Sequence, residues 1–371
     1  MVAREVAIPD LRLPAVLSFV PCPQFMRIRR TLPIALAVVI VGAAVTLAVQ
    51  LRKHAPPEAA RLLPGADAFL YADFNWVRKL STNPLPSVSH DPEYERFIQE
   101  TGIEFERDLQ TVAFAVHYPS SWPGGGTGGS APEPRFSEVF VGKIHGELLT
   151  AYLKHVAQSI EDYNSVQIFS IPVEGRTFRV AILSVDSVAA SNHDDPGVIR
   201  GMVDRSRRLA SPFGGPALLR RYYKRVQLAS PVWIVAHVQP SSPGFGGWAD
   251  TFAKPADLVI SASYNPLHLP LRTGALHLRA EAWAASNEDA RIITDKLTVF
   301  LGMFHSAEIS VGSPGSDADV KAMFDSLQVR QEDSRAVLYA TVPTGVFRKL
   351  VESPTQVPGP PPAAAQPSKT R

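Results

Sequence analysis

SVQIFSIPVEGRTFRVAILSV, residues 165–185, and SLQVRQEDSRAVLYATV, residues 326–342, open on the same phrase of serine, aliphatic, glutamine, aliphatic. Both then alternate apolar and polar positions around a short polar turn, which is the pattern of a β-hairpin. Upstream of the first lie DLQTVAFAVHYP (108–119), RFSEVFVGKI (135–144) and a helical periodicity from about Glu147 to Ile160. Upstream of the second lie DLVISASYNP (257–266), GALHLRAEAWAA (274–285) and a helical periodicity from about Asn287 to Leu301. The order strand, strand, helix, hairpin therefore occurs twice, with a short helix expected to close each copy.

The leading strands correspond as well, ADAFLYADFNW (66–76) in one copy and SPVWIVAHVQP (230–240) in the other. Leu149, Leu153, Val156 and Ile160 recur at spacings of four, three and four, as do Ile293, Leu297, Phe300 and Phe304, so each helix offers one apolar stripe to a sheet. Ser286 and Asp289 form a capping pair for the second helix. In DPEYERFIQETG, Asp91 is placed to cap, Pro92 to start and Gly102 to stop a further helix. These patterns predict an α+β fold of two related units, 65–228 and 229–352, each a mainly antiparallel sheet with covering helices, sharing or stacking their sheets.

Ahead of these units, Thr31 to Leu51 is a run of 21 uncharged residues, about 31 Å as a helix, close to the roughly 30 Å of a bilayer core. It predicts one transmembrane anchor, uncleaved because no small-x-small site follows Val49. Arg27, Arg29 and Arg30 precede the span, against Arg52 and Lys53 after it, which places residues 1–30 in the cytoplasm and residues 54–371 outside it. Met26 is an alternative start. HAPPEAARLLPG (54–65) supplies most of an expected stalk over 52–64, SSWPGGGTGGSAPEP (120–134) reads as a flexible linker, and 353–371 as a disordered Pro/Ala-rich tail.

LLPGADAFLYADFNWVRK (62–79), following such an anchor, resembles the opening of uncharacterised, single-span bacterial envelope proteins. The resemblance covers residues 26–80. It implies an inner or cytoplasmic membrane address and brings no catalytic residue with it.

Charge and cysteine narrow the function. Seven of the 37 basic residues and two of the 35 acidic ones precede residue 54, leaving 30 against 33 in the exported part. That near-neutral balance removes the main support for generic nucleic-acid binding, which needs a basic face, and outside the cytoplasm no nucleic-acid partner is expected. Cys22 is the only cysteine and lies ahead of the span, so the exported part is expected to hold together without disulfides.

His-Glu-x-x-His, Gly-x-Ser-x-Gly and Ser-x-x-Lys do not occur. No catalytic, metal or cofactor-binding residue is assigned, and no cofactor is expected. The reading is a non-enzymatic binding or interaction module, with an envelope hydrolase of non-standard site as the alternative. SNHDDPG (191–197) is read as a helix cap at Asp195 and Pro196 in preference to a metal site. Two contact surfaces are expected. Arg220, Arg221, Lys224 and Arg225, beside Tyr222 and Tyr223, would meet anionic lipid or an acidic protein or polymer. His277, Arg279, Glu281 and Trp283 share one strand face opposite Leu276, Leu278, Ala280 and Ala282.

Overall fold

Strand β1 (Ala68–Asp73) pairs antiparallel with β2 (Leu109–His117) on one side and with β8 (Val232–Val238) on the other, and this junction joins the two halves into one sheet. The computed structural model describes residues 55–80, 91–118, 133–207, 214–239, 252, 254–264, 275–310, 318–343 and 345–346, omitting the side chains of 77, 79, 80 and 304–310. The expected anchor, Cys22, most of the 120–134 linker and the C-terminal tail lie outside the described residues. Among the described residues, no helix is long and apolar enough to cross a membrane.

The protein is α+β with a large antiparallel sheet. The remaining strands are β3 (Arg135–Gly142), β4 (Ser159–Tyr163), β5 (Val166–Val173), β6 (Arg176–Ile182), β7 (Ser187–Ser191), β9 (Ala256–Tyr264), β10 (Ala275–Trp283), β11 (Gln328–Glu332) and β12 (Arg335–Pro343). All twelve form a single sheet in the order β11-β12-β10-β9-β8-β1-β2-β3-β7-β6-β5-β4. The outermost strands, β4 and β11, are five residues each and carry charge, Glu161 and Asp162 on one and Arg330 and Glu332 on the other, which discourages further edge pairing.

The sheet centre is apolar on both sides because helices cover both. Phe69, Ala115 and Val235 lie in one cross-strand row, and Tyr71, Ala113 and Trp233 in the next. They pack under α1 (Glu58–Leu62), α6 (Gly197–Arg207) and α7 (Ala217–Tyr222) through Ala60, Leu62, Ile199, Met202 and Leu219. Fully burying side chains such as Phe69 and Met202, both 0% exposed, stabilises by about 1.5–3 kcal/mol each.

The opposite face holds two separate clusters. One lies under α3 (Pro92–Thr101), α4 (Phe105–Asp108) and α5 (Gly146–Val156); the other lies under α8 (Asn287–Ser310). Short helices α2 (Phe74–Leu80) and α9 (Ala318–Asp325) and a 3₁₀ turn (Tyr223–Arg225) complete the elements of the described residues.

Local chemistry explains the boundaries. Asp91 accepts hydrogen bonds from the Glu93 and Tyr94 amides at 2.7 and 3.1 Å, and Gly102 ends α3 at φ 70°. Ser286 accepts from the Asp289 amide at 3.1 Å, capping α8 as expected. The β4–β5 and β5–β6 hairpins turn on Asn164–Ser165 and Glu174–Gly175, all four at positive φ, which is the type I′ geometry that matches strand twist.

Several expectations change. The expected stalk contains α1, and Ala59, Ala60, Leu62 and Leu63 are all buried, so this segment belongs to the core. The helix beginning near Glu147 stops at Val156, and Ile160 lies on the edge strand β4. ADAFLYADFNW is a strand only to Asp73, whose carboxylate accepts from the Asn75 amide as α2 begins. The two Ser-aliphatic-Gln hairpins do not occupy equivalent positions. β12 pairs directly with the third strand of its half, whereas β5 and β6 are separated from β3 by β7.

Candidate functional site

Between α5 and the sheet is a cavity of about 500 Å³. Its floor is Phe140, Val188, Val180, Phe178 and Ile171 from β3, β7, β6 and β5; its roof is Leu149, Leu153 and Val156 of α5. Phe97, Ile103 and Phe105 of the α3–α4 segment form a side wall.

Aromatic contacts explain why α5 does not collapse onto the floor. Phe97 meets the edge of Tyr152 on α5 at 5.4 Å and lies 5.5 Å from Phe105, which stacks on Phe140 of the sheet at 6.1 Å. A continuous aromatic wedge thus runs from helix to strand. Tyr94 locks it: its hydroxyl accepts from the Phe105 amide at 2.8 Å and donates to Glu106 at 2.9 Å. Burial, with Glu106 adding to it, pushes the Tyr94 phenol up to about 12, so it remains a donor.

Gly142 closes one corner. A Cβ there would lie 2.3 Å from the Asp108 carbonyl, so only glycine admits this crossing, and the neighbouring Lys143 amide donates to the same carbonyl at 2.9 Å.

Asp108, Lys143 and Tyr152 are the lining residues with polar side chains. Asp108 is buried and already engaged: Arg107 donates to it at 2.6 and 3.0 Å, and the Glu104 amide at 3.0 Å. Those contacts, Arg107 first, hold its carboxyl below the usual range. Lys143 is exposed, and so in part are the lining residues Phe105 and Val173, at 42% and 49%. The cavity therefore opens to the surface.

The basic quartet is placed on α7 and the 3₁₀ turn, on the opposite side of the sheet from the cavity, and all four residues are exposed. Arg225 lies over the Trp283 ring at 4.6 Å, and Arg221 over Tyr222 at 5.1 Å. Nearby cations in the sequence are structural instead. Arg200 bonds Glu161 at 2.8 Å, and Arg205 donates to the Leu62 carbonyl at 2.7 Å, tying α6 to α1.

The β10 face is brought together, though not as an open contact surface. Glu281 is 3% exposed and accepts from Arg279 at 2.7 Å and Arg335 at 3.2 Å. Arg335 also stacks on Trp283 at 4.9 Å and bonds Glu332, so cross-strand pairing consumes Arg279, Glu281 and Trp283. His277 remains partly exposed further along the strand.

SNHDDPG is a cap: Asp195 accepts from the Gly197 amide at 2.7 Å, and Asp194 pairs with Arg135 at 3.1 Å. Among the described residues, no cluster of three or more His, Cys, Asp or Glu is arranged for a metal. A Ser–His pair that the sequence did not suggest occurs elsewhere. His117 lies 3.1 Å from Ser137, which lies 2.9 Å from Ser191. These three are at most 3% exposed, on the α6–α7 side of the sheet and away from the cavity. Burial, followed by His193, lowers the His117 pKa to about 4, leaving it neutral at pH 7.

The cavity itself was missed by sequence reading, because its walls are ordinary core residues of well-read elements. The one usable signal was the density of aromatics from Tyr94 to Phe105.

No protein-family model matches the chain, and no curated protein sequence matches it. Among solved structures the chain is similar to crystal forms I, III and IV of TP0453, each at 10% identity. The likeness covers 80% of this chain and 96%, 97% and 98% of those chains, with TM-scores of 0.41, 0.38 and 0.37. Likeness of that degree leaves both fold and function to be argued from the chain itself.

Proposed function

We propose that this chain is a membrane-anchored, extracytoplasmic binding module that takes an apolar ligand into the cavity beneath α5. The observation that carries this is the cavity's size and lining together. About 500 Å³ lies within the range of ligand sites, roughly 300–1,000 Å³, and an apolar lining with few polar groups is their usual composition. The lining residues supply no serine, histidine or cysteine nucleophile, and the Ser137–His117 pair lies on the other side of the sheet, which weighs against the hydrolase reading.

Anchoring rests on the uncharged run 31–51 and its arginine-rich leading flank, with the folded part outside the cytoplasm. The exposed quartet Arg220, Arg221, Lys224 and Arg225 is a separate surface for anionic lipid or an acidic partner. Duplication as proposed is confined to the three leading strands and the helix that follows them, supported by the central β1–β8 pairing and by α5 and α8 lying on one face; the Ser-aliphatic-Gln hairpins, which are not equivalent, fall outside it.

The test is uptake of a neutral, environment-sensitive fluorophore by the full chain in nanodiscs, corrected for empty discs. Val180→Trp and Leu153→Trp, which place an indole in the cavity, should each abolish the specific signal while circular dichroism is retained. An unchanged signal in both folded variants removes the cavity as the binding site.

A further inference from the structure

We infer that the occupant of the cavity is a single long acyl chain ending in a carboxylate, with its tail beneath α5 and its head at Lys143. The inference rests on the cavity reading above and adds the ligand's class and orientation.

Three features lead to it. A cavity of about 500 Å³ lies toward the lower end of the range of ligand sites, roughly 300–1,000 Å³, a size that suits one acyl chain better than two. The floor spans four adjacent strands, β3-β7-β6-β5, about 14 Å at roughly 4.8 Å per strand, so the space is extended across the sheet. The charged groups at its edge are unequal. Asp108 is hydrogen-bonded by Arg107 and the Glu104 amide, whereas exposed Lys143 acts on Asp108 only at longer range and forms no salt bridge among the described residues.

Lys143 is therefore the one cationic side chain among the described residues lining the cavity, and the place at its mouth where an anionic head would be met. Phe105 and Val173, both lining and partly exposed, provide an apolar path by which a tail enters from a membrane surface.

Photolabelling of the full chain in native membranes tests the assignment. Diazirine-bearing hexadecanoate should label peptides containing Leu153 and Phe178, in competition with unlabelled hexadecanoate. Diazirine-bearing hexadecanol, matched in length and uncharged, should label them about two- to fivefold less, the range of an ion pair at a solvent-exposed lip. Lys143→Gln should reduce hexadecanoate labelling to the level of the alcohol, with no change for the alcohol.

Equal labelling by acid and alcohol, unaffected by K143Q, overturns the anionic head and leaves the apolar cavity standing. Labelling by neither, or labelling unchanged in folded L153W, overturns the cavity reading together with it. Labelling by a diacyl phosphatidic acid probe that exceeds hexadecanoate overturns the single-chain assignment.

Discussion

The α5 and α8 halves follow a similar order of strands and a helix, yet among the described residues α5 roofs a cavity of about 500 Å³ while the gap beside the first turns of α8 is about 10 Å³. Under α8, Ile293 packs against Ala68, Ala236, Ala282 and Ala336, and the gap at that helix's start is about 10 Å³, no more than one water. Small residues let the helix settle onto the sheet. Under α5 the floor includes Phe140, Phe178 and Val180, and the α3–α4 wedge stands between helix and sheet. Topology alone does not make a binding site; side-chain volume and one inserted segment decide whether a helix seals its sheet or shelters a void.

Enlarging a floor residue breaks or sharpens that contrast most directly. Ala282→Leu, beneath α8, should cost about 1–3 kcal/mol by overpacking. Val180→Leu, beneath α5, should be neutral or stabilising by up to about 1 kcal/mol, because its added methylene enters empty space. Urea midpoints of the two variants, measured side by side, check this. Equal destabilisation would mean that the first half is as tightly packed as the second.

A pH experiment probes the two faces of the first half. Glu138 projects from β3 on the cavity-side face, among apolar side chains, with no hydrogen-bond or ion-pair partner among the described residues, and burial pushes its carboxyl up from 4.5 to about 7. Because the folded state holds that proton longer, stability falls as pH rises from about 4.5 to about 7. His117, on the other face, does the reverse. The unfolded chain takes its proton first, so stability falls as pH drops from about 6.5 to about 4. The two effects oppose each other where they overlap. Glu138→Gln should expose a clear rise in stability across that interval and add about 1–2 kcal/mol at pH 8, read from urea midpoints at several pH values. Parallel profiles for wild type and variant would show Glu138 to be solvated.

Asp91→Ala should cost about 1 kcal/mol through loss of the α3 cap. Its informative readout is ligand uptake. If the α3–α4 wedge holds the cavity open, loosening α3 should weaken fluorophore binding by severalfold while α8 keeps its hydrogen-exchange protection. Retention of full uptake would assign the opening of the cavity to the sheet residues alone.

The smallest stability effect is expected on the opposite face. Replacing Arg220, Arg221, Lys224 and Arg225 with glutamine should shift stability by about 1 kcal/mol or less summed over the four, the smallest effect per residue, since all are exposed and only Arg221 and Arg225 lose a ring contact. Binding of the full chain, held in neutral nanodiscs, to vesicles containing phosphatidylglycerol should fall, and wild-type binding should weaken as salt rises. Equal attachment to neutral vesicles would reduce the quartet to a solvated surface.

Read by itself, the sequence determined whatever depends on neighbours along the chain. The caps at Asp91, Asp195 and Ser286, the Gly102 stop, the alternation of β2 and β10 and the hairpin at Glu174–Gly175 are short-range matters of hydrogen bonding and φ preference. Tertiary structure alone decided where those elements meet. The segment around Ala59 and Ala60 is polar-flanked and proline-rich, and nothing local distinguishes a stalk from a helix that fills the space over Met202 and Leu219. Alternation placed Arg279, Glu281 and Trp283 on one face, but only the register with β12 matched them to Arg335 and closed that face with ion pairs. The cavity lies furthest beyond sequence reading, because a void is the mismatch of volumes among residues 97 to 190, and no single residue carries it.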